Sequence, residues 1–253
     1  MLALKLILVP SFLALISLAG RRWGPGMAGW LAGMPVVAGP ILFFLALERG
    51  TEFGAQAAAA ACSGAVGSLT FNITYARTCL RHGWPIALLA GFGAWLVAAT
   101  ALAQLPSSPW AALTVALAGL LIAPRLFPDP GELAPLRPLP KSDLPARMIA
   151  GAALTLLVTG IASNIGPTWS GLLGVYPLMG TVLAVFSHVS NGASFAVRLL
   201  RAMARGLYSF AAFCFCIAIS LPSQGILLSF SLSVALALCV QFVARERRPA
   251  PLA

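Results

Sequence analysis

Runs of about twenty apolar residues, most of them ended by a short basic cluster, recur along the chain, and no soluble core can absorb that many. The chain is 60% hydrophobic and only 9% charged, whereas soluble domains carry roughly 25% charged residues. A mean hydropathy of +0.94 points the same way, and lipid is therefore the expected solvent. Because about 20 apolar residues cross a bilayer, nine spans are expected, over residues 2–20, 27–47, 55–76, 84–105, 108–123, 148–166, 170–189, 206–222 and 225–243. The fold class is all-α and polytopic. Residues 124–147 differ in kind, with seven prolines and three of the six acidic residues (Asp129, Glu132 and Asp143), and read as an extended polar linker.

The net charge of +10 would suggest nucleic acid in a soluble protein, but here the basic residues cluster between apolar runs. That distribution selects membrane lipids as partners and excludes nucleic acid. Arg21 and Arg22, Arg77 and Arg81, then Arg125, Arg137, Lys141 and Arg147 follow the odd-numbered spans, while the loops after spans four, six and eight carry no Lys or Arg. The positive-inside rule then places the N-terminus outside and the C-terminus in the cytoplasm. Arg21 and Arg22 follow the first apolar run rather than precede it, so that run reads as a retained span and not as a cleaved signal. The five cysteines lack metal-ligand spacing and read as small buried hydrophobes. Neither a metal nor a cofactor is expected.

Sliding the chain on itself by 142 positions, without gaps, brings Gly24-Pro25 onto Gly166-Pro167, Gly29 onto Gly171, Pro35 onto Pro177 and Phe44 onto Phe186. The same shift matches Gly50 with Gly192, Phe53 with Phe195, Gly64 with Gly206 and Phe71 with Phe213. Glycine and proline fix backbone geometry, so their agreement says more than agreement among leucines. The chain then divides into a first transmembrane repeat (1–105), a linking helix with the Pro-rich linker (106–146), a second repeat (147–243) and a basic tail (244–253). Four spans return a chain to its starting side and a fifth reverses it, so the two four-helix repeats are expected to be inverted.

An interior proline costs about 3 kcal/mol in a helix, and two in register ask for a use. Discontinuous helices near the repeat axis are where secondary transporters bind their substrates, so Pro35 and Pro177 are read as shaping a central path. The polar candidates beside them are Glu48, His188, Asn191, Asn72 and Asn164. Glu48 needs burial to act as a proton or cation site, and otherwise pairs with Arg49. His188 titrates near physiological pH, and Asn191 lies beside it. Asn72, with Thr74 and Tyr75, and Asn164 are donors and acceptors for interhelical hydrogen bonds or for a pore. Arg198, Arg201 and Arg205 share one helical face and read as anchors for anionic lipid headgroups. GWLAG, from Gly29 to Gly33, is a small-xxx-small packing pattern. There is no HExxH, GxSxG or Walker loop, so no enzyme is expected.

The stretch GLLGVYPLMGTVLAVFSHVSNG followed by RAMARGLYSF resembles the four-span bacterial inner-membrane proteins of the GlpM type, over residues 166–213 and more faintly 24–71. That resemblance implies a fused, duplicated form of such a unit and supplies no substrate. The expected function is secondary transport of a small solute or a lipid-like molecule, compatible with a homo-oligomer. The alternative is a membrane scaffold or assembly factor, whose helices would close into a dry bundle.

Overall fold

The computed structural model describes residues 2–106, 108–131, 143–162, 172 and 176–243. They form ten helices: α1 (Leu2–Trp23), α2 (Pro25–Ala32), α3 (Ala38–Arg49), α4 (Thr51–Cys79), α5 (Trp84–Leu102), α6 (Pro109–Leu126), α7 (Asp143–Ala162), α8 (Leu178–Asn191), α9 (Ala193–Gln224) and α10 (Ile226–Val243). No strand occurs among the described residues. Prolines open α2, α5 and α6, where the missing N–H has no partner to lose.

Single glycines turn one helix into the next. Gly50 joins α3 to α4 with φ 92 and ψ 164, and Gly192 joins α8 to α9 with φ 87 and ψ 173. That backbone region is essentially closed to residues with a Cβ. These junctions lie 142 positions apart, as do the first residues of α4 and α9 and those of α5 and α10.

Helices α4 and α9 form the centre and run antiparallel. A Cβ on Gly54 would lie 2.9 Å from Leu221 Cδ2, and further along α4 the Cys62 thiol donates to the Ala211 carbonyl at 3.6 Å. Helices α5 and α6 flank α4, and α10 flanks α9. Helices α1 and α7 are also antiparallel, with Arg21 against Asp143 and Leu13 against Gly151. GWLAG packs as its pattern predicts: a Cβ on Gly33 would stand 2.5 Å from Gly206 Cα, and one on Gly29 would overlap the Leu199 carbonyl. Only backbones this bare let α2 cross α9 so closely.

Four helices, α5, α6, α9 and α10, are long and apolar enough to cross a membrane. The outer faces of α5, α6 and α10 expose large apolar residues, among them Leu89, Val97, Leu121, Leu227 and Phe242. A surface of that kind suits lipid. Helix α4 has the length, 29 residues, but its run of Ala, Gly, Ser and Thr is weakly apolar and lies largely buried.

The helices differ from the nine expected spans in three places. Residues 27–47 are not one helix, because Pro35 stops α2 and the helix resumes only at Ala38. The eighth span, expected at 206–222, belongs to a 32-residue helix beginning at Ala193. At 1.5 Å per residue that helix is about 48 Å long, and Arg198, Arg201 and Arg205, expected on a helical face ahead of the span, lie within it. The Pro-rich linker is also shorter than expected, since α6 continues through Pro124 to Leu126 and α7 starts at Asp143.

Candidate functional site

Both prolines matched by the 142-residue shift sit in the same tight turn just ahead of a helix, α3 after Pro35 and α8 after Pro177. With no N–H and a ring that excludes the preceding turn, each forces its chain into a tight reversal. The Val36 N–H donates to the Met34 carbonyl at 2.8 Å, and the Leu178 N–H donates to the Tyr176 carbonyl at 2.6 Å, with the proline central each time. Pro177, at φ −73 and ψ 52, lies in the inverse γ-turn region. Helical bonding then resumes in the same way, from Gly39 N–H to the Pro35 carbonyl and from Thr181 N–H to the Pro177 carbonyl.

The two breaks meet. A cavity of about 50 Å³ is bounded by Met34 and Val36 from one, by Tyr176 and Pro177 from the other, and by Ser68 of α4 and Met203 of α9. Its volume admits a few water-sized molecules. From Ser68, the same face of α4 continues at i+4 and i+7 with Asn72 and Tyr75. Helix α8 lies against that face: a Cβ on Gly180 would stand 3.1 Å from Asn72 Oδ1, and Tyr75 Oη lies 3.3 Å from His188 Nδ1. Asn72 is fully buried, and neither Nδ2 nor Oδ1 has a hydrogen-bond partner.

Past His188 the seam reaches a buried ion pair. Arg147 donates to both oxygens of Asp143, at 2.9 and 3.3 Å, Ser190 Oγ donates to Oδ1 at 3.2 Å, and Arg21 approaches Oδ2 at 3.5 Å. Burying such charges is costly unless every lone pair is met, and here the bidentate geometry and the Ser190 hydroxyl meet them. The cluster ties α1, α7 and α8 together. The sequence alone places Asp143 in the linker, although its D-x-x-x-R spacing to Arg147 carries the signal of this pair.

A second, larger recess of about 540 Å³ lies beside Pro35, walled by Phe12, Phe43, Phe213 and Phe230 and open past Val234 and Leu238 of α10. At the positions 142 residues away the space is filled. Tyr176, where the first half has Met34, stacks on Phe92 at 5.7 Å and meets Trp95 edge-on at 5.1 Å; the residues matching Phe92 and Trp95 are the smaller Val234 and Ala237.

The remaining candidates are dispersed. Glu48 is exposed at the end of α3, and Asn191 closes α8, half-buried, before Gly192. Asn164 lies outside the described residues. Arg198 donates to the Gly131 carbonyl at 2.6 Å, Arg201 is exposed, and Arg205 is half-buried. The structure therefore joins Pro177, Asn72 and His188 along one seam, brings Met34 and Val36 on either side of Pro35 to the shared cavity while Pro35 itself lines the larger recess, and leaves Glu48 apart. Ser68 and Tyr176 are additions that sequence reading missed, although the i, i+4 spacing of Ser68 and Asn72 marked one of them.

Among the described residues no three His, Cys, Asp or Glu side chains gather as a metal site. Comparison with family models, with curated proteins and with solved structures finds no match to this chain.

Proposed function

We propose that this chain is a multi-pass inner-membrane permease of two inverted four-helix repeats joined by α6, moving a small solute or lipid-like molecule by secondary transport. The observation that carries the reading is the pair of matched γ-turn breaks, at Pro35 and Pro177, facing one cavity. In hydrocarbon, irregular backbone persists only where protein or a cavity receives it, and paired broken helices are the usual place for a transported molecule. Inversion is supported by the antiparallel packing of the repeat-related pairs α4 with α9 and α1 with α7. A two-fold axis in the membrane plane relates equivalent helices in that sense. The bacterial inner membrane, the outside N-terminus and the duplicated GlpM-like unit belong to the same proposal.

The scaffold reading keeps one observation in its favour: the shared cavity is small, and its walls are mostly apolar. Uptake decides between the two. Proteoliposomes holding the full chain are incubated in a bacterial small-molecule extract, and their contents are read by untargeted mass spectrometry. At least one solute is expected to accumulate with the wild type and to be lost in the Pro35→Leu/Pro177→Leu double variant, which still inserts. Uptake no different from that of empty liposomes would establish the scaffold.

A further inference from the structure

The carboxamide of Asn72 is fully buried in the middle of a helical bundle, with donor and acceptor both idle. One buried group left unpaired costs about 1–3 kcal/mol, and lipid provides no compensating water. A leucine of similar size would avoid that cost, so packing does not account for an amide at this place.

Helix α8 passes close over the amide at Gly180, where an added Cβ would stand only 3.1 Å from Oδ1. The cavity between the helix breaks is lined by Ser68, one turn along α4, rather than by Asn72 itself, and Tyr75 beyond it pairs with His188. No charged side chain lines that cavity, and Asp143, buried beyond His188, is already engaged by Arg147 and Arg21. An ion entering here would meet no counter-charge and would keep its desolvation penalty. A neutral molecule with both a donor and an acceptor satisfies both ends of the amide: Nδ2 donates to its oxygen, and Oδ1 accepts from its N–H or O–H. The small volume sets an upper limit on its size.

We propose that Asn72 is the binding group for a small neutral polar solute of the amide, urea or polyol class, reached from the cavity between the two proline breaks. The assignment rests on the permease reading and names the class of molecule moved.

Two measurements on the full chain test it. In membranes, Asn72→Cys and, separately, Ser68→Cys are treated with neutral methyl methanethiosulfonate or with its charged trimethylammonium analogue, and modified peptides are read by mass spectrometry. The neutral reagent is expected to react about tenfold faster or more, a gap of about 1.4 kcal/mol, while native Cys214, equally buried in the α4–α9 seam, stays unmodified. In proteoliposomes, osmotic swelling with urea, acetamide or glycerol is expected to exceed that of empty liposomes for at least one probe and to fall about tenfold in Asn72→Leu. If both introduced thiols are as inert as Cys214, the amide is sealed or holds only an ordered water, and the proposal fails. Equal reaction with the charged reagent overturns the neutral class. Swelling that survives Asn72→Leu removes Asn72 while leaving the permease standing. Selective labelling with no uptake of any solute keeps the site and removes the permease.

Discussion

Single side chains take up the carbonyls that irregular helices leave behind. Pro124, inside α6, has no N–H for the Leu120 carbonyl, and Tyr208 of α9 donates its hydroxyl there instead, at 3.1 Å. Gln241 of α10 does the same for the Trp30 carbonyl at the end of α2, at 2.8 Å, and Arg77 for Leu126 at 2.9 Å. Tyr208→Phe should therefore cost about 1–2 kcal/mol of stability, the penalty of a buried unpaired acceptor, measured by unfolding in mixed micelles. In a Pro124→Ala background the restored N–H serves Leu120, and the same substitution should cost a few tenths of a kcal/mol. Equal costs in both backgrounds would show that the hydroxyl does not replace the missing donor. In the sequence Pro124 reads as the start of the linker, so its place inside α6 was not legible. Nor was its remedy, since Tyr208 lies 88 residues from Leu120 and nothing local joins them.

Close approach of bare backbones governs how the elements pack. At the α2–α9 crossing, Gly33 and Gly206 leave no room for a methyl group: a Cβ on either would fall 2.5 or 2.6 Å from the other's Cα. The obstacle is main chain, which cannot swing aside as a long side chain can, so Gly33→Ala should cost toward 3 kcal/mol, the upper part of the range for overpacking. Gly26 faces open space, and Gly26→Ala should stay within about 0.5 kcal/mol of wild type. Both are read from the same micelle unfolding curves, and indistinguishable variants would contradict the crossing. GWLAG announced this contact because small residues at i and i+4 have few other uses on a membrane helix. The long helix α9 was harder to foresee. Arg198, Arg201 and Arg205 read as a helical face ahead of the span, yet long arginine side chains reach away from a helix while its backbone continues unbroken.

Across the whole molecule, the matched prolines and the glycines that become junctions were visible in the amino-acid chain at a spacing of 142 residues, because glycine and proline act locally, whereas the start of α9 was not. Which helices embrace was not visible, since Ala- and Leu-rich surfaces fit one another almost interchangeably. The antiparallel pairing of α4 with α9 predicts that Glu52→Cys and Ser194→Cys, equivalent positions near the helix starts, are labelled by an impermeant maleimide from opposite faces of the membrane, Glu52→Cys from the periplasmic side. Labelling from one common face would exclude inversion. The two halves, however, are not interchangeable in substance. Where Tyr176 is wedged between Phe92 and Trp95, the equivalent three positions are the smaller Met34, Val234 and Ala237, and they border an open furrow. Any rocking that traded the shapes of the halves would have to pull an aromatic wedge out of one side and would gain no equal wedge on the other. The two tilted forms would then differ in energy, and the molecule's resting bias would lie in three rings rather than in its backbone.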